Sequence, residues 1–409
     1  MVSEMIDYIA AALGIVLVFI AGVFFFTSAV TNGLAFSNQQ NAAQQAENLL
    51  DYVLLTPGSP ANWGQASSAP LALGLASPTS QTEYSLSQYS LMRLLVPNAS
   101  ATLNFKGVNY ESVYLGGYDY ISAPSSYFLN YSYAKTLLNI TRAYEFRLTV
   151  RAALNVSISE LSTSKYSVSV VSSSGSPVVG ANVMASLVYG ISGKGSNPVP
   201  HVGISTATGT TGPQGTATLS FSVSPSGVGE YYVVAQVESG GLTGEGYHYF
   251  NSASQPLTYI LYNAGAPNQV TVVQHCAIST SPSCATDYIN VSIADLSDGA
   301  NTQTQLTCNV TKINPGKGGG DSGDNSTCKG TILGGFIVVT SQRSGKGPNS
   351  YPAVQLFPID FAVGLATQFG GNPTGSPDAV TTSRVVLVAG ISYVVSLVYW
   401  PDVGPEYGG

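Results

Sequence analysis

Charge is what this sequence has least of. Asp, Glu, Lys and Arg together make up 9% of its 409 residues, against roughly 25% in ordinary soluble domains. Only 14 basic residues occur, the first of them is Arg93, and the net charge is −7. With no basic cluster to neutralise phosphates, nucleic-acid binding is excluded. Histidine is nearly absent too: His201, His248 and His275 are scattered along the chain, and neither G-x-S-x-G nor H-E-x-x-H occurs. Catalysis needs converging titratable groups, so the chain reads as a non-enzyme without cofactors. Low charge alone could signal disorder, but 44% apolar content with many β-branched and aromatic residues opposes that. Hydroxyls, amides and attached sugar would then supply the solubility of an all-β surface protein.

Cysteine is confined to one stretch, at Cys276, Cys284, Cys308 and Cys328. An even, clustered set in an exported chain reads as two disulfides, with three pairings open. The sequential pairing, Cys276–Cys284 and Cys308–Cys328, staples two short loops and is favoured. Zinc, with His275 beside Cys276, is the rival, but the C-x2-C spacing of such sites is missing. The nearby Gly316–Cys328 run lacks the G-x4-G-K spacing of a phosphate loop, and Asp321 and Asp324 match no calcium loop. No metal site is expected.

What is present begins at the N-terminus. The uncharged block IAAALGIVLVFIAGVFFF runs from Ile9 to Phe26. As a helix it spans roughly 27 Å, close to the hydrocarbon thickness of a bilayer. Its apolar character goes all the way round, so it must be enclosed on every side, by lipid or by copies of itself. Residues 34–55, LAFSNQQNAAQQAENLLDYVLL, continue the helix with a partly polar surface, and Thr56-Pro57-Gly58 ends it near Leu55. Ile9, Leu13, Leu17, Ile20 and Phe24 are the candidate packing residues of a helical core. A secretory signal would need a basic flank before the apolar core, and a plain anchor would carry Lys or Arg on its cytoplasmic side. Glu4 and Asp7 stand there instead.

Beyond Trp63 turn residues become dense, and alternating segments such as Ala101–Phe105 and Tyr144–Val150 predict strands. Residues 161–253 form the clearest module. Tyr166–Val170, Gly175–Gly190, Thr210–Val223 and Gly229–Val237 place strands between Gly- and Pro-rich turns about every ten residues. Near the end, Val385–Val388 and Tyr393–Tyr399 predict two apolar strands joined at Ala389-Gly390. The organisation expected is a helix at 1–55, a β-rich head packed on it at 56–160, a β-sandwich at 161–253, and a C-terminal β domain with the disulfides at 254–409. The fold class is mainly β, with tandem sandwiches behind a long apolar helix.

Several pieces together carry a resemblance: the apolar helix, AENLLDYVLLTPGSPANWG (Ala46–Gly64), YEFRLTVRAALNVSIS (Tyr144–Ser159) and SRVVLVAGISYVVSLVYWP (Ser383–Pro401). They make the sequence similar to archaeal type IV pilin-like surface proteins. The resemblance implies N-terminal helices bundled in a filament core, heads facing solvent, and a short basic leader already removed, with Met1 the mature start. It also implies assembly partners in the membrane: a leader peptidase, a platform and an ATPase. Bacterial members carry a Glu at the fifth mature position that pairs with a neighbour's terminal amine; Glu4 is one position off, so that role is not carried over. The order Pro-Val-x-Gly-Ala-x-Val, Thr-Ala-Thr-Leu, Tyr-Tyr-Val-Val-Ala within 161–253 resembles the Ig-like domains of invasin-type adhesins, which act as rigid spacers or adhesive modules.

Asn98, Asn130, Asn139, Asn155, Asn290, Asn309 and Asn325 each begin N-x-S/T, all outside the helix, and are candidate glycosylation sites. Two functional readings follow. One is the repeating subunit of an extracellular filament of identical chains, inserted in the membrane through its helix before assembly and contacting host or neighbouring cell surfaces. The other is a monomeric membrane-anchored adhesin or cell-envelope stalk. The Gln- and Ala-rich extension Asn38–Glu47 favours the first, because a lone anchor has no use for it.

Overall fold

The computed structural model describes residues 2–105, 107–114, 120–140, 143–192, 200–224, 231–250, 258–262, 269–274, 287–295, 302–305, 307–308, 326–329, 336–343, 353–358, 366–373, 376 and 378–402. They form a mainly β protein of several sheets behind one long N-terminal helix.

Helix α1 runs unbroken over Val2–Leu55, which at about 1.5 Å per residue is about 80 Å of rod. It stops where the sequence predicts. Thr56 turns its backbone N–H and hydroxyl back to the Tyr52 carbonyl at 3.1 and 2.7 Å, and Pro57 cannot continue the ladder. Ala42, Ala46, Leu50, Val53 and Leu54 are buried. Their spacing of about one turn puts them on a single stripe, and that stripe docks on the head.

The head is built on a five-stranded sheet ordered Ser85–Leu86, Val380–Val388, Ile391–Pro401, Tyr144–Ala152, Thr367–Gly370. Only the short first strand runs parallel to its neighbour. Phe146, Leu148, Val150 and Ala152 alternate inward from one strand, and Tyr393, Val395, Leu397 and Tyr399 from the next. The sheet and α1 enclose a common core with Trp63, Leu91, Tyr127 and Tyr262. The hairpin Val380–Pro401 turns at Ala389 (φ 50) and Gly390 (φ 84), the two-residue left-handed geometry that matches strand twist.

Beyond the head, the three strands Leu154–Ser162, Lys165–Ser172 and Thr216–Ser220 face the four strands Asn182–Ile191, His201–Thr210, Tyr231–Ser239 and Leu242–Phe250 across a shared core. The two sheets close on one another at Gly244 and Gly246, where a Cβ would lie 2.7 Å from Leu154 Cβ and 2.4 Å from the Val156 carbonyl oxygen. On the other side of the four-stranded sheet lies another sheet, Thr302–Gln305, Asp287–Asp295, Phe336–Arg343, Ala353–Pro358. Val188, Val202, Tyr232 and Val234 pack there against Phe336, Val338, Val354 and Leu356. The middle strands are therefore covered on both faces, which is why ASLVY and YYVVA read as apolar runs rather than alternations.

These pairings cut across the boundaries expected from sequence. Thr367–Gly370, Val380–Val388 and Ile391–Pro401, assigned to 254–409, complete the sheet begun by Tyr144–Ala152. Leu154–Ser162, with residues 154–160 assigned to the head, pairs with Lys165–Ser172 in the three-stranded sheet. A seven-stranded sheet joins the strands within 98–124 to those within 258–329, through a parallel contact of Thr258–Tyr262 with Tyr120–Pro124. Such joins depend on pairing between remote segments, to which local periodicity is blind.

Candidate functional site

The functional element is α1 together with what holds it. Every described side chain from residue 12 to residue 27 is exposed. Leu13 (58%), Leu17 (65%), Ile20 (57%) and Phe24 (71%), four of the five packing residues named from sequence, all face outward in the single chain; the side chain of the fifth, Ile9, lies outside the described set. Phe19, Phe25 and Phe26 are more than 70% exposed as well. Monomeric proteins rarely leave so continuous an apolar surface uncovered. Among the described residues no helix is long and apolar enough to cross a membrane.

Where the apolar stripe enters the head, polar contacts fix the helix azimuth. Asp51 forms an ion pair with Arg384, 3.2 Å from Oδ1 to Nε, and Tyr399 donates its hydroxyl to Gln45 Oε1 at 3.3 Å. Within the head lies Arg93, 1% exposed. Its Nε donates to the Tyr127 carbonyl at 2.7 Å, and Nη1 to the carbonyls of Trp63 (2.7 Å), Ser68 (2.9 Å) and Ala66 (3.3 Å). The guanidinium carbon is 5.3 Å from the Trp63 ring and 5.2 Å from the Tyr127 ring, within reach of both π faces. Burial lowers the pKa of Arg93 from its ordinary value, and Tyr127 and Tyr262 partly offset that. The same cage pushes the Tyr127 phenol well above its ordinary value, chiefly by desolvation. Arg93 thus ties the loop after α1 to the segment at Tyr127 and makes one rigid seat for the helix. Sequence reading missed it; the only signal was its isolation as the first basic residue.

Alongside this seat, between the lower half of α1 and the end of helix α2 (Tyr131–Leu137), a groove of about 550 Å³ is lined by residues including Tyr52, Asn139 and Tyr144. Lys135, on the same short helix, pairs with Glu145 at 2.6 Å, and Tyr131 hydrogen-bonds the same carboxylate.

Asn130, Asn139 and Asn155 are exposed, as sugar attachment requires. Asn98 and Asn290 stand in strands with side chains outside the described set, and Asn309 and Asn325 lie outside the described residues. The backbone sets Cys308 opposite Cys328 as antiparallel partners; Cys276, Cys284, His275, Asp321 and Asp324 lie outside the described residues. His201 and His248 are exposed on separate strands, and no group of three or more metal-ligating side chains occurs among the described residues.

The head and the sheets of 154–250 meet at the tip of the Val380–Pro401 hairpin. Thr243 donates its hydroxyl to the Gly390 carbonyl at 2.6 Å and its N–H to Ser392 Oγ at 3.0 Å. Comparison with known proteins supplies no relative: no protein-family profile and no curated protein matches the chain.

Proposed function

We infer that this chain is the structural subunit of an extracellular, type IV pilus-like filament, assembled through bundled α1 helices with the β layers outside. The observation that carries this is one helix with two unlike ends. Its C-terminal stripe is buried in the head, while every described side chain from 12 to 27 is exposed and overwhelmingly apolar. Covering such side chains contributes roughly 1–2 kcal/mol each at these exposures, and an all-round apolar surface needs neighbours on all sides. Copies of the same helix supply them, with Gly14 and Gly22 permitting close approach. Before assembly the full apolar block Ile9–Phe26, which begins three side chains ahead of the described run, holds the subunit in the membrane.

The facing sheets of 154–250 support an Ig-like sandwich that stands as a rigid, glycosylated exterior and serves adhesion. The Thr243 contacts to the head fit a spacer that does not swivel. Shearing source cells, imaging the released material by cryo-electron microscopy and identifying its protein by mass spectrometry tests the reading. This chain as the main component of filaments with a helical core is the expected result. Its confinement to the membrane fraction would instead make it an anchored adhesin. Leu17→Lys places an unpaired ammonium in the bundle at a cost of at least several kcal/mol per subunit. That variant is expected in the membrane but absent from filaments, and normal filaments would refute the bundle.

A further inference from the structure

The groove between α1 and the end of α2 carries a chemistry that filament assembly does not use. Its volume of about 550 Å³ lies in the range of small-molecule sites. No charged side chain lines it; the walls are tyrosines, aliphatic side chains and amides. Gln45, Asn48 and Tyr52 come from one exposed face of α1, while Tyr144 lies flat on the buried Tyr399 with ring centroids 4.9 Å apart and planes 5° apart. Flat aromatic surface beside neutral amides suits a pyranose: its C–H face packs on a ring, and its hydroxyls exchange hydrogen bonds with carboxamides. An ion or a phosphate would meet no counter-charge there.

At the lip of the groove stands Asn139, exposed and the first residue of Asn139-Ile140-Thr141. Backbone geometry fixes its position. The Asn139 N–H donates to the Thr136 carbonyl at 3.1 Å and the Ile140 N–H to the Lys135 carbonyl at 3.0 Å, with Asn139 at φ 52. This is the paired closure of a helix C-terminus, in which asparagine is the usual substitute for glycine in the left-handed position. The acceptor amide is therefore held beside the groove by the end of α2.

We propose that Asn139 carries an N-linked glycan whose first sugars lie in this groove against Tyr52 and Tyr144 and brace α1 against the head. Attachment forms a bond from Asn139 Nδ2 to the anomeric carbon of a lipid-phosphate-linked sugar donor. The C–O bond to the donor phosphate breaks, the phosphate leaves with the electron pair, and the amide gives up one proton to a base of the transferase. The glycan then acts as a wedge at the point where the projecting helix leaves its seat. The proposal requires export but not polymerisation, so it can fail or hold independently of the filament reading.

Trypsin isolates the site, because cleavage after Lys135 and Arg142 releases Thr136–Arg142 with Asn139 as its only sequon. From full-length chain purified from its native source, this peptide is expected with hexose or N-acetylhexosamine mass increments. Recovery of the bare peptide alone would overturn the proposal. Seating in the groove is read by hydrogen exchange of residues 45–52 on the dissociated full chain. Asn139→Gly removes the acceptor yet keeps the left-handed cap, and Thr141→Ala removes the sequon yet keeps Asn139. Both are expected to exchange several-fold faster than wild type over 45–52. Unchanged exchange in the two variants would place the glycan in solvent and refute the bracing role.

Discussion

Replacing Arg93 by lysine keeps a cation at the centre of the head but removes its reach. The guanidinium spans two sides of its cage: Nε serves the Tyr127 carbonyl at 2.7 Å while Nη1 serves the carbonyls of Trp63 and Ser68 at 2.7 and 2.9 Å. A lysine ammonium is a single point. Seated near Trp63 and Ser68, it leaves the Tyr127 carbonyl without its charged donor, a loss of about 1.5–3 kcal/mol. It also gives up the planar cation between the Trp63 and Tyr127 rings, worth about 1 kcal/mol more. The sum, about 2.5–4 kcal/mol, is a large fraction of the roughly 5–15 kcal/mol that holds a domain together. Arg93→Met goes further by leaving all four carbonyls without Arg93 as donor, and is expected to be at least as damaging as Arg93→Lys. Guanidinium chloride unfolding of the full chain in mild detergent, followed by tryptophan fluorescence, measures both, since Trp63 lies 5.3 Å from the replaced group. A lysine variant within about 0.5 kcal/mol of wild type, the scatter of an ordinary surface substitution, would refute the cage. A methionine variant more stable than wild type would show that desolvation of the cation outweighs its bonds.

Alkaline pH should weaken the head. Desolvation raises Tyr127 well above the ordinary 10.0 and Tyr399 to about 12. In the unfolded chain these phenols ionise near the ordinary value, so stability is intact below pH 10 and falls as pH rises toward the folded values. Paired phenolate-absorbance and unfolding titrations check this, and an unfolding midpoint that stays flat above pH 10 would contradict it. Opposed antiparallel residues have Cα atoms about 4.5–5.5 Å apart, inside the disulfide range. Non-reducing peptide mapping is therefore expected to find Cys308 joined to Cys328, and a different partner for either would refute the register argument. Thr243→Val deletes the hydroxyl bond to Gly390 but keeps the backbone bond to Ser392. It should cost about 1 kcal/mol and raise hydrogen exchange at the hairpin tip, and unchanged exchange would argue against a rigid joint between the head and the sheets of 154–250.

The sequence by itself determined what depends on near neighbours. The extent of α1 to Leu55 follows from an uninterrupted helix-compatible run and the Thr56-Pro57-Gly58 break. The hairpin over 380–401 follows from alternation and the Ala389-Gly390 turn, and the all-round apolarity of Ile9–Phe26 by itself demands a partner. Only the tertiary structure decided which strands share a sheet. Thr149 pairs with Ser396, and Ile121 with Ile260; neither pair leaves a local mark, because a strand's side-chain pattern records that a face is buried and not what buries it. The same holds for the seat of the helix. Arg93 is an ordinary residue in the sequence, and it becomes a structural centre only where three backbone carbonyls of the 63–68 segment and that of Tyr127 converge on one buried cation.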